Sequence, residues 1–84
     1  MNSIKWQVKA LRQLRKLNHQ TNASIRAAVN GLAAMPDCPG VKALTNHTCG
    51  YRLRVGAYRV FFDFDGEIRV VDVQEVKKRN ERTY

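Results

Sequence analysis

The hydrophobic pattern of this chain changes period several times, and each change marks an element. Residues 3–8 alternate, with Ile4, Trp6 and Val8 on one side and Lys5 on the other. A period of two predicts a first strand with one buried face. From about Lys9 the period lengthens. Leu11, Leu14 and Leu17 recur at i, i+3 and i+6 with Ala10 beside them, while Lys9, Arg12, Arg15 and Lys16 fall mostly opposite. That spacing is an amphipathic helix with a basic outer stripe. The polar run 18–22 interrupts it. Thr21 or Asn22 then serves as N-cap of a second helix reaching about Met35, with Ile25, Val29 and Leu32 as its apolar stripe. Ala28 and Ala33 permit close packing; Gly31 weakens the helix but allows near contact with the first one. A break this short predicts a helical hairpin laid on one sheet face. Pro36 ends it, and Pro39-Gly40 continues the turn.

Residues 41–48 show no clear period; Val41 and Leu44 are the side chains able to tether them to the core. His47 in this stretch has two readings, a plain loop residue or a catalytic base. Alternation returns at 51–60, Y-R-L-R-V-G-A-Y-R-V. Gly56-Ala57 suits a two-residue type II′ turn, which needs positive φ at its first position. Tyr51, Leu53 and Val55 then share one face, and Arg52 and Arg54 the other, with Arg54 directly opposite Arg59. Like charges facing each other across strands cost a few tenths of a kcal/mol up to ~1 kcal/mol. An anion would relieve that cost, and guanidinium forks suit phosphate. The competing reading is three solvated arginines on an exposed face.

The second strand of this hairpin continues through Phe61, Phe62 and Phe64 to a turn at Asp65-Gly66. A three-residue loop, 64–66, with Gly66 left-handed, keeps apolar residues together by setting Phe62 opposite Ile68 and Val60 opposite Val70. It also puts Arg69 on the basic face. The last strand, 68–74, is apolar on both sides near Val70, Val71 and Val73, which predicts a central strand covered on both faces. Residues 75–84 read as a short basic tail or last helix carrying Lys77, Lys78, Arg79, Arg82 and Tyr84. This end is either frayed and solvated or a nucleic-acid contact, with Tyr84 stacking on a base or holding a phosphate.

The expected architecture is therefore α+β: one domain, residues 1–84, in which a small antiparallel sheet with an N-terminal strand carries two packed helices in the order β-α-α-β-β-β. Charge adds to this picture. The chain has net charge +8, and the two signs are unevenly spread. Through Cys49 there are seven Lys or Arg and one acid; from Gly50 there are eight and six. Such a balance points to nucleic acid or an acidic protein as partner, with Lys9, Arg12, Arg15, Lys16, Lys77, Lys78 and Arg82 as candidate RNA contacts. No apolar stretch reaches the ~20 residues of a membrane span, and the N-terminus has no signal-peptide core, so the cytoplasm is the expected location and a membrane partner is not. Cys38 and Cys49 form neither a metal pattern nor a disulfide framework.

The element order, the run Y-R-L-R-V-G-A-Y-R-V-F-F, the helix end L-A-A-M-P and the terminal V-K-K-R-N-E-R-T-Y together resemble the RelE/ParE superfamily of bacterial toxin–antitoxin toxins. The resemblance covers nearly the whole chain, and its tail points to the RelE branch. It implies a RelE-like fold and a metal-independent endoribonuclease with no cofactor, cleaving messenger RNA in the A site of the 70S ribosome and neutralised by a cognate antitoxin. It also implies an active site of Arg52, Arg54, Arg59, Arg79 and Tyr84. The branch has lysines where this chain has Arg52 and Arg54; arginine keeps its proton at neutral pH and is a poor general base, which leaves Lys77 or Lys78 as candidates for proton transfer. The alternatives are a ParE-like inhibitor of DNA gyrase and an RNA-binding module without catalysis.

Overall fold

The computed structural model describes residues 1–78. The chain forms β1 (Ser3–Trp6), α1 (Val8–Arg15), α2 (His19–Asn30), a 3₁₀ turn (Gly31–Ala34), β2 (Val41–Ala43), β3 (Tyr51–Val55), β4 (Tyr58–Asp65) and β5 (Val70–Lys78). The five strands make one mixed sheet in the order β1-β5-β4-β3-β2. β1 runs parallel to β5, and the remaining pairs are antiparallel. The α+β class stands. The sheet gains a strand, because residues 41–43, which have no readable period, pair with β3 as a short edge.

The helices cover one face of the sheet. Between the two layers lies a core of Ala10, Leu14, Ile25, Val29 and Leu32 from the helical side and Leu53, Val60, Phe62, Val71, Val73 and Val76 from the strands. Full burial of such a side chain is worth about 1.5–3 kcal/mol. That gain fixes which way each strand faces.

Several boundaries move, each for a local reason. β1 stops at Trp6, and Val8 opens α1 as an exposed residue rather than closing the strand. α2 starts earlier than Thr21 or Asn22 would have it: Asn18 is the N-cap, and its Oδ1 accepts the Thr21 backbone N–H at 2.8 Å. Asn22 instead donates to the Leu14 carbonyl at 3.0 Å and ties the end of α1 to α2. Gly31 is the C-cap of α2, and a Cβ there would meet nothing within 4 Å, so it makes no close approach to α1.

The β3–β4 hairpin keeps its expected register. Val55 pairs with Tyr58, and Arg54 faces Arg59. Gly56 has φ +56°, the left-handed conformation being confined to the first turn residue. The β4–β5 register differs. Asp65 pairs with Val70, Phe62 with Val73 and Val60 with Val76, across a four-residue loop. The Asp65 carboxylate sets it by accepting the N–H of Glu67 at 2.9 Å and of Ile68 at 3.3 Å. The left-handed residue is Arg69, φ +56°, not Gly66. Arg69 and Ile68 are consequently exposed in the loop, and Arg69 does not join the basic face. The last strand is displaced toward the C-terminus and absorbs residues 75–78, which the sequence assigns to a tail. It is central, between β1 and β4, but the helices cover it on one face only, with Val71, Val73 and Val76 inward and Asp72, Glu75 and Lys77 outward. Gln74 is the extra residue of a bulge between the Phe61–Glu75 and Phe62–Val73 pairs, and its amide donates to Asp63 at 2.6 Å.

Candidate nucleic-acid interface

The face of the sheet turned away from the helices gathers the basic residues of the hairpin. Directly opposed residues share a face. One row runs Lys42–Arg52–Phe61–Glu75, and the next runs Arg54–Arg59–Lys77. The expected cluster Arg52, Arg54 and Arg59 is therefore brought together, and Lys77 joins it. Lys42 and Glu75 are additions: the first sits in a strand too short to show a period, the second in what reads as a tail. Lys78 pairs with Tyr58 and so faces the helix side, away from the cluster. Arg79, Arg82 and Tyr84 lie outside the described residues.

The arginines are held unevenly. Arg52 and Arg59 are half-buried, and the Nε of each is shut off from solvent with no hydrogen-bond acceptor among the described residues. A buried donor left unsatisfied costs about 1–3 kcal/mol, more when charged. Two such donors on one face make a site whose described groups leave it short of acceptors. Phosphate oxygens supply acceptors in the geometry that guanidinium forks prefer.

Glu75 takes part of the positive charge. Its Oε2 lies 3.3 Å from Lys9 Nζ and 3.5 Å from Lys77 Nζ. Burial pushes its carboxyl upward, but the hydrogen bond to Lys9 and the charge of Lys77 together outweigh this and hold it below the usual glutamate range. The lysines thus stabilise the folded chain above the ordinary glutamate value of about 4.3. This contribution fades as pH falls through the lowered folded value. Thermal melts from pH 7 downward should show wild type keeping its lead over Glu75→Gln down to the ordinary glutamate value of about 4.3 and losing it as pH falls further, through the lowered folded value. A constant gap across that range would contradict the assignment.

α1 borders this face. β1 ends at Trp6, leaving the later part of β5 without a strand neighbour on that side, and Gln13 Oε1 accepts the Val76 N–H at 2.6 Å. Lys9 therefore reaches the rim of the arginine face, and Arg12, Arg15 and Lys16 are exposed along the helix. The loop before β3 closes another side. His47 stacks on Phe61, ring centroids 4.8 Å apart, and its Nδ1 accepts the Cys49 N–H at 3.0 Å. The outward Phe61 was the sequence signal: an apolar ring on a polar face requires a cover. Cys49 is 3% exposed, and burial, with the Asp63 charge adding to it, pushes its thiol up, so it is no thiolate nucleophile. Cys38 and Cys49 are both free. No helix among the described residues is long and apolar enough to cross a membrane.

A family model described as "ParE toxin of type II toxin-antitoxin system, parDE" matches residues 4–83. No curated protein matches at the sequence level. Solved structures match along most of the chain. One is the RelBE2 toxin–antitoxin complex of Mycobacterium tuberculosis, 24% identical with TM-score 0.80, covering 93% of this chain and 98% of the other. Another is the archaeal RelE–RelB complex of Pyrococcus horikoshii, at 21% and 0.80, covering 95% and 97%. The isolated RelE toxin of E. coli matches at 19% and 0.81, covering 99% of this chain and 89% of that one. At these identities the structural likeness establishes the fold, which is RelE-like.

Proposed function

Because the chain belongs to the ParE toxin family of type II toxin–antitoxin systems, within the RelE/ParE superfamily, we propose that it acts as a RelE-type endoribonuclease on messenger RNA in the ribosomal A site. The observation that carries this reading is the open sheet face. Arg52, Arg54, Arg59, Lys42 and Lys77 converge there, and two arginine Nε atoms lack acceptors among the described residues. The reaction is attack of a ribose 2′-hydroxyl on its adjacent phosphate. The O2′–P bond forms and the P–O5′ bond breaks, leaving a cyclic phosphate and a 5′-hydroxyl. Negative charge grows on the phosphoryl oxygens, and Arg54 and Arg59 stabilise it from fixed positions. Glu75, ionised beside Lys9 and Lys77, accepts the 2′-hydroxyl proton, and the Lys77 ammonium on the same face gives a proton to the departing 5′-oxygen. Arg79 and Tyr84 complete the site by supporting the leaving oxygen and orienting a base. Lys9, Arg12, Arg15 and Lys16 track ribosomal RNA phosphates, with Lys78 and Arg82 adding phosphate contacts near the C-terminus. A cognate antitoxin binds the toxin, as the RelB partners do in the matched complexes.

The name of the matching family model favours one second reading, a gyrase inhibitor of the ParE kind. Purified 70S ribosomes with a programmed messenger separate the two. Cuts confined to the A-site codon, mapped by their 5′ ends, are the expected result. Intact messenger at stoichiometric protein, with inhibited gyrase supercoiling, would replace this reading with the other.

A further inference from the structure

The phosphate chemistry leaves one part of the open face unused. Phe61 sits in the row between Arg52 and Glu75, an apolar ring among charged neighbours. It is nevertheless 8% exposed, because His47 lies flat upon it at an interplanar angle of 13°. The loop turns just before this imidazole, Asn46 taking the left-handed conformation with φ +55°. One edge is pinned as well. With Nδ1 accepting the Cys49 N–H, the lone pair of that nitrogen is engaged. What remains available is the ring itself. One face is braced against Phe61, the other is turned away from it, and the residue is exposed.

The surroundings say what such a surface would meet. Phe61 lies directly across from Arg52, at a separation of ~5 Å between Cβ atoms for an opposed pair, and Arg59 follows on the same face two residues along β4, roughly 7 Å away. A flat aromatic surface next to two acceptor-seeking guanidinium groups matches a nucleotide, phosphate on the arginines and base on the ring. We propose that His47 is a nucleobase-stacking platform, on which the base of the bound nucleotide extends a Phe61–His47–base stack. The inference rests on the reading of this face as an RNA site, and it assigns the ligand class of one further residue. Purines, with the larger π surface, bind better than pyrimidines. The competing role is structural, a cover for Phe61 and nothing else.

The two histidines of the chain make the test direct. His19 opens α2 and serves as the internal control. The protein is titrated with adenosine 3′,5′-bisphosphate, uridine 3′,5′-bisphosphate and inorganic phosphate while the imidazole Cε1–H proton resonances are followed. Stacking produces a saturable upfield ring-current shift at His47, larger with adenosine than with uridine, no such shift with phosphate, and none at His19. His47→Leu keeps an apolar cover on Phe61 but takes the acceptor from the Cys49 N–H, so it melts somewhat lower and is titrated well below its own transition. Its affinity for the adenosine bisphosphate falls about tenfold, within the range of base–aromatic stacking, toward that of inorganic phosphate. An unmoved His47 resonance at every nucleotide concentration, the same shift with phosphate alone, or undiminished affinity in His47→Leu would each overturn the proposal. The assay needs no ribosome. Intact messenger therefore counts against the proposed cleavage, whereas an unmoved His47 with A-site cuts counts against this inference alone.

Discussion

Arg59→Gln is expected to lower the single-turnover rate of A-site cleavage by about 10²–10³-fold, the effect of removing one preorganised stabiliser of transition-state charge, without lowering thermal stability. Both halves follow from position. Arg59 stands between Arg54 on β3 and Lys77 on β5, with its Nε buried and lacking an acceptor among the described residues. That arrangement costs energy in the resting protein and returns it when phosphoryl oxygens arrive. Glutamine keeps most of the aliphatic stem and its packing. It removes a charge opposite another charge, a pairing that is destabilising by ~0.2–1 kcal/mol. The melting temperature should therefore hold or rise. Arg59→Lys separates charge from shape: it restores the charge but not the bidentate fork, so its rate should lie between the two. If Arg59 only binds RNA, saturating ribosome complexes would recover the full rate in Arg59→Gln, and the assignment of transition-state stabilisation would fail.

The parts of the fold visible in the sequence are those where one physical signal dominates. The β3–β4 hairpin is legible because alternation, a turn glycine and the segregation of Arg52, Arg54 and Arg59 from Leu53, Val55 and Val60 all favour one register. The β4–β5 register is not, because two rules conflict there. Phe61 and Phe62 are adjacent apolar residues facing opposite ways, and the bulge at Gln74 shifts the partner strand by one. Matching apolar residues across an unbroken ladder then selects a register without the bulge. Asp65-Gly66 resembles a tight turn, yet Asp65 acts through its side chain, and Arg69 takes the left-handed position that glycine would be expected to hold. At the end of β5 the charges themselves mislead: Glu75 and Lys77 in sequence resemble a solvated tail, while in the sheet they alternate with Val76. Of the candidate site, the arginine cluster follows from strand parity alone. Lys42 and His47 come to it through a three-residue edge strand and an irregular loop, and periodicity has no means of reporting either.

The largest expected loss of stability is at Phe62, the neighbour of the site's Phe61 on the opposite face of β4. Phe62 is fully buried, pairs with Tyr51 on β3 and Val73 on β5, and stacks on the Tyr51 ring at 5.5 Å. Phe62→Ala removes this ring from the centre of the core layer between sheet and helices, where strands on both sides fix the backbone and limit collapse into the void. Such truncations cost about 3–5 kcal/mol, against a total of about 5–15 kcal/mol for a native domain. At roughly 4–8 °C per kcal/mol for a domain of this size, the melting temperature falls by roughly 12–40 °C. Urea titration should show the midpoint drop with an unchanged slope, since the surface exposed on unfolding is nearly the same. Phe61→Ala provides the contrast. Its ring is covered by His47 from the solvent side rather than enclosed by the core, so a loop can settle into the space and the loss should be smaller. Equal losses at the two positions would mean that the His47 loop is as rigid as the core, and a Phe62→Ala loss below about 1 kcal/mol would contradict the enclosed core on which the geometry of the arginine face depends.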